Sequence, residues 1–203
     1  MSSGWHLHQS LLDVQTGKNA FIATDDEYKS GKPLSQAGMM WLGGLLTHAA
    51  EGSVFATPTI NGYKRYRPFS LAPDRITWGE DNRGAMLRVI AAAADPASRI
   101  ENRAGEPAAN PYLYLSGQII AGMDGLDRQI DPGPSADSPY VKGGEKLPRN
   151  LRDAIGHFRA STLFRSVLGD AFVDYLSQIK TAEIERYEQD VSEWEQREYF
   201  DIF

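Results

Sequence analysis

Apolar and polar positions alternate from Trp5 to Leu12, with His6, His8 and Ser10 on one side and Trp5, Leu7 and Leu11 on the other. A period of two is that of a strand. This strand begins almost at Met1 and needs a neighbour, so the pattern predicts a chain that opens in the middle of a sheet. Residues 13–34, rich in Gly, Asp, Lys and Ser, read as loop. Beyond Ser35, a capping residue, Met39, Trp41, Leu42, Leu45 and Leu46 recur near helical spacing; they predict a helix to about Ala50, stopped by Gly52. Residues 57–73, with Asn61-Gly62 and three prolines, are loop-like.

Two further strands are predicted over 75–79 and 85–91, and a third over 99–103. Asn110 and Pro111 form an N-cap and first-turn pair for a helix to about Asp127, in which Gly117, Gly122 and Gly125 would allow close approach to the sheet. A Pro- and Gly-rich connection over 128–149 precedes helices near 150–159 and from Asp170 to the end. In the last, Ile184, Tyr187, Val191 and Trp194 alternate spacings of three and four, predicting one buried seam whose neighbour belongs to this chain or to another subunit. The expected fold class is α+β, an antiparallel sheet with flanking helices.

At 203 residues, with 41% hydrophobic residues, the chain fits one domain with a substantial core. A net charge of -6 argues against a chain-wide attraction to nucleic acid or anionic membrane. Without cysteine there is no disulfide framework, thiolate nucleophile or thiolate metal site. No signal-like N-terminus or bilayer-length apolar run is seen, so a cytoplasmic protein with no nucleic-acid or membrane partner is expected.

The run Arg99-Ile100-Glu101-Asn102-Arg103 changes this picture. In a strand it sets Arg99, Glu101 and Arg103 on one face, two guanidiniums about one carboxylate. By itself such alternation reads as a solvated face with cross-strand ion pairs of small worth. For the run alone that reading wins; the other is that it holds two anions about a metal ion, as phosphoryl transfer requires.

Five ordered segments favour the second reading. Residues 3–11, Ser-Gly-Trp-His-Leu-His-Gln-Ser-Leu, resemble the strand of the glutamine synthetase family that bears a metal-binding histidine and an ATP-contacting histidine and serine. Asn61-Gly62-Tyr63-Lys64-Arg65 is similar to its Asn-Ser-Tyr-Lys-Arg substrate loop, and Asp81-Asn82-Arg83 through Arg88 to its Asn-Arg segment with a second arginine five residues on. Arg99 to Arg103 resembles its Arg-Ile-Glu-x-Arg strand, and Pro107-Ala108-Ala109-Asn110-Pro111 the Pro-Ala-Ala-Asn-Pro that follows. The resemblance covers nearly the whole chain. It implies that residues 1–203 are the C-terminal part of the catalytic domain, lacking the family's β-grasp domain and first glutamate-bearing strands.

The resemblance also implies roles. His6 and Glu101 would ligate Mg²⁺ or Mn²⁺; His8, Ser10, Arg99 and Arg83 would contact ATP; Arg65 and Arg103 would hold glutamate; Arg83 and Arg88 would act on the transferring phosphoryl group. The implied reaction is ATP-dependent joining of the glutamate side-chain carboxylate to ammonia or an organic amine through γ-glutamyl phosphate, in a homo-oligomer. One departure bears on the amine: where ammonia-using members place a glutamate before Ala-Pro, Leu71 precedes Ala72-Pro73, and leucine cannot act as a base. With Trp78 to Arg83, which resembles the amine-using branch, this favours a γ-glutamyl amide ligase. Because most of the family's carboxylate ligands lie in the missing part, the isolated chain is expected to be inactive. The alternative is an inactive nucleotide-binding or oligomerisation module.

Overall fold

The computed structural model describes residues 3–67, 70, 72–136, 138 and 144–202, so Leu71 lies outside the described residues. Four short strands, β1 (Leu7–Gln9), β2 (Trp78–Glu80), β3 (Leu87–Ile90) and β4 (Arg99–Asn102), form one sheet in the order β1-β4-β3-β2. The expected antiparallel pairing holds for β1 with β4 and for β3 with β4. The pair β2–β3 is parallel instead. Its six-residue connection doubles back through Asp81, whose φ is 46°, and returns β3 to the start of β2 for three residue pairs.

Helices α1 (Asp25–Lys29), α2 (Gln36–Thr47), α3 (Ala49–Ala56) and α4 (Pro111–Asp127) are followed by α5 (Leu151–Ala160), α6 (Thr162–Leu168), α7 (Asp170–Gln189) and α8 (Glu193–Tyr199). Helix α4 starts where Asn110 and Pro111 predict, the Asn110 side chain accepting from the amides of Tyr112 and Leu113. The helix after Ser35 breaks at His48 and resumes as α3 straight through Gly52. Glycine weakens a helix by about 1 kcal/mol, and burial of Val54 and Phe55 on the same turn of α3 outweighs that.

The glycines of α4 permit close approach, but to helices and not to the sheet. A Cβ on Gly125 would meet the Met40 carbonyl oxygen, and one on Gly122 would meet the Trp41 ring, so α2 and α4 touch nearly backbone to backbone. The terminal helix is interrupted after Gln189, and of its expected seam Ile184 alone is buried; Tyr187, Val191 and Trp194 are exposed. Leu87, Val89 and Ile100 pack with Trp41, Leu42 and Tyr114 in one core, while Phe55, Phe158, Phe164 and Val173 knit α3, α5, α6 and α7 in another. The helices cover one face of the sheet. The other carries the charges.

Candidate active site on the charged face of the sheet

Strand register builds the site. His8 stands opposite Glu101, and Glu101 opposite Arg88, so three adjacent strands place His8, Glu101 and Arg88 in one row across the sheet. Glu101 is its hub, with a side chain only 4% exposed. Its Oε2 accepts from Arg88 Nη1 at 3.0 Å and its Oε1 from Arg103 Nη1 at 2.9 Å. His6 Nδ1 lies 2.8 Å from the same Oε1, and His8 Nε2 lies 3.8 Å away. Arg99 donates from Nε to His8 Nδ1 at 3.2 Å, and from Nη1 to the Ala97 carbonyl.

The electrostatics follow from this crowding. Burial acts to raise the Glu101 pKa, yet the Arg88 hydrogen bond and the charges of Arg103, His6 and His8 hold it below the ordinary carboxylate value. Burial and the Arg103 charge hold His6 below the usual imidazole value despite Glu101, which favours a neutral ring able to offer a lone pair. Arg103 is lowered chiefly by burial, in spite of Glu101, with Arg88 and Arg83 adding repulsion. Its Nε is buried with no hydrogen-bond partner. Two guanidiniums on one hub carboxylate, one of them with an unpaired donor, form a site suited to an anion.

Asp81 is the residue that sequence reasoning assigned no role. It accepts from Arg88 Nε at 3.0 Å and also from Arg88 Nη2, so Arg88 is held between two carboxylates. Its place directly before Asn82-Arg83, at the end of β2, was the available signal. A polar net below the sheet was also missed: Gln9 joins Gln118 of α4 and Trp41 of α2, and Asn102 joins the same Gln118. A glutamine on the apolar side of a predicted strand demands such partners.

The remaining sequence-predicted residues are placed as follows. Arg65 lies in a short 3₁₀ turn over Gly62–Arg65 and is buried; it donates to the carbonyls of Gly105 (2.9 Å), Ala104 (3.3 Å) and Arg103 (3.4 Å), fixing the chain just past β4. Arg83 is exposed on the turn after β2, and Ser10 is exposed beyond β1. The structure thus brings His6, His8, Arg88, Arg99, Glu101 and Arg103 together, with Arg65 behind Arg103. For a divalent cation, His6 and Glu101 are a fitting pair of donors but only a pair. Among the described residues no group of three or more His, Cys, Asp or Glu side chains could hold a metal ion.

The glutamine synthetase catalytic-domain family model matches residues 1–199. A γ-glutamylanilide synthase from an Acinetobacter species is 45% identical over 214 residues, taking in 100% of this chain and 42% of that protein. Glutamine synthetase of Archaeoglobus fulgidus is 38% identical over 213 residues, 99% of this chain and 43% of that protein. Among solved structures, a GmaS/ADP complex superposes with a TM-score of 0.84 at 34% identity, covering 98% of this chain and 46% of that one. The chain therefore spans less than half the length of these relatives.

Proposed function

The chain belongs to the glutamine synthetase family, and from that premise we propose that it is the C-terminal part of the catalytic domain of an ATP-dependent carbon–nitrogen ligase. The reaction joins the side-chain carboxylate of glutamate to an organic amine, in preference to ammonia, through γ-glutamyl phosphate. The observation that carries the proposal is the His8–Glu101–Arg88 row with Arg103 beside it. Phosphoryl transfer to a carboxylate brings two anions together, and positive charge fixed in advance lowers that barrier.

In this reading Arg88 and Arg83 neutralise the moving phosphoryl group, and Arg103, with its unpaired Nε, holds glutamate together with Arg65. His8, Ser10 and Arg99 line the nucleotide side. His6 and Glu101 would give Mg²⁺ or Mn²⁺ two of its ligands, and the bound ion would supply further positive charge for the phosphoryl transfer. The preference for an organic amine rests on Leu71 and on similarity to a γ-glutamylanilide synthase.

The test is phosphate release dependent on ATP and glutamate, with ammonia and a panel of amines including aniline, after the missing part of the fold is supplied. Turnover with an amine that falls at least 100-fold in Glu101→Gln is the expected result. No turnover with any amine would overturn the proposal, and ammonia outperforming every amine would overturn the choice of substrate. The two-donor metal site gives some ground for the second reading, an inactive nucleotide-binding or oligomerisation module. Calorimetry of the bare chain with ADP and Mn²⁺ separates a retained nucleotide pocket from a purely structural remnant.

A further inference from the structure

Glu106, just past the end of β4, is a buried carboxylate that the charged row does not use. It is 6% exposed and takes its hydrogen bonds from one residue. The Thr59 amide donates to Oε1 at 2.9 Å, and the Thr59 hydroxyl is shared between Oε1 at 2.9 Å and Oε2 at 3.0 Å. None of these donors is a cation. Taking a carboxylate out of water is costly, and the cost is offset only where its partners are fixed. Here they are fixed in turn. The Thr59 hydroxyl accepts from the Gly62 amide at 3.1 Å, at the start of the 3₁₀ turn that ends in Arg65. A Cβ on Gly62 would collide with Glu106 Oε2 and with Thr57, so the turn lies flush against the carboxylate.

The contact is returned from the other end of the turn. Arg65 reaches back to the carbonyls of Arg103, Ala104 and Gly105, the three residues directly before Glu106. The Thr57 hydroxyl donates to the same Ala104 carbonyl at 3.0 Å, and the Glu106 amide donates to the Ala56 carbonyl at 3.0 Å. Loop and strand exit are therefore tied in both directions, Arg65 reaching one way and Glu106 the other, each charge hydrogen-bonded to neutral groups of the opposite segment. A buried polar net of this kind holds its geometry only while every member is satisfied. Removing the Glu106 carboxylate frees the Thr59 amide and the start of the turn, and with them the position of Arg65.

We propose that Glu106 is a positioning residue for glutamate. Through Thr59 and the 3₁₀ turn it sets where Arg65 stands, and through Arg65 it sets the backbone from which Arg103 presents its unpaired Nε. The identity of the bound molecule rests on the ligase reading given above. The effect does not extend to the nucleotide, whose residues His8, Ser10 and Arg99 lie along β1, just past its end, and at the start of β4.

Two measurements test it, and the first needs no reaction. Amide hydrogen exchange of this chain should quicken at least tenfold at Thr59 and Gly62 in Glu106→Ala and stay unchanged in α7. In Glu106→Gln, whose side-chain carbonyl can accept both Thr59 protons, it should stay within threefold of wild type. Exchange at Thr59 and Gly62 that Glu106→Ala leaves unchanged overturns the proposal. The second measurement uses the enzyme completed for the phosphate-release assay. Loss of a binding contact raises KM, whereas loss of folded protein lowers apparent kcat and leaves KM alone. Glu106→Ala should therefore raise the KM for glutamate at least tenfold with the KM for ATP within twofold, and Glu106→Gln should bring it back to within threefold. If Glu106→Ala does not fold, Thr59→Val, which removes the hydroxyl, carries this measurement, with Thr59→Ser keeping it. A lowered apparent kcat with both KM values unmoved makes Glu106 a structural brace only and overturns the proposal, as does an equal rise in both. Absence of turnover by the completed wild type removes the ligase reading and with it the choice of glutamate, while the exchange result tells whether Glu106 nonetheless holds the turn.

Discussion

Neutralising His48 should loosen the junction between α2, α3 and α4. This side chain is 7% exposed, with Nε2 2.7 Å from Asp124 Oδ2 of α4 and Nδ1 3.0 Å from Glu51 Oε2 of α3. Ser161, the cap of α6, donates to the same Glu51 oxygen, Arg128 donates to Asp124, and His157 adds its charge near Glu51. Both partners of the ring are carboxylates, which only accept, so the two contacts are both hydrogen bonds only while the ring is an imidazolium. Burial lowers the His48 pKa, but the hydrogen bonds and charges of Glu51 and Asp124 more than reverse this, leaving it above 6.5. A raised pKa contributes stability that is complete below the unfolded value and is lost as pH rises through the folded one. Losing one charge-assisted bond in a buried site costs on the order of 2 kcal/mol, or roughly 4–8 °C in Tm for a chain of this size. Calorimetric Tm values of wild type and His48→Gln, compared from pH 5.5 to 9, cancel the titrations common to both. The gap between them should be widest at the acid end and close as pH rises; a gap independent of pH, or one widening with pH, would refute the assignment.

Glu101→Gln keeps the shape of the hub but leaves Arg88 and Arg103 facing a neutral amide, and urea unfolding should show a loss of about 3 kcal/mol. Gly122→Ala drives a methyl into the Trp41 ring, and the strain of an overfilled contact, about 1–3 kcal/mol, should appear as a lower Tm with altered tryptophan fluorescence. Asn110→Ala removes the acceptor for two first-turn amides of α4 and should cost about 1 kcal/mol by the same urea measurement.

What was legible in the sequence is what local chemistry determines. The Asn110-Pro111 start of α4 is written in two adjacent residues, and the alternation of β4 predicts the common face that Arg99, Glu101 and Arg103 adopt. The family motifs then assigned each a role, while register placed His8 and Arg88 on either side of Glu101. The failures lie where a long-range contact, or a local signal passed over, decided the outcome. Residues 13–34 read as loop, yet Thr24 and Glu27 form the reciprocal capping box that starts α1, and Ser192 with Glu195 does the same for α8 inside the expected continuous seam. By propensity alone Gly52 reads as a stop, and the apolar cluster holds α3 through it. Arg65 shows the limit most clearly. A Lys-Arg-Tyr-Arg cluster by itself reads as surface charge, yet the Arg65 guanidinium is buried and gathers the carbonyls of residues 103 to 105. Those carbonyls lie on a segment about forty residues away, so no spacing within the loop could announce them. The same bonds fix the backbone from which Arg103 reaches Glu101, so Arg65 also supports the charged row from behind.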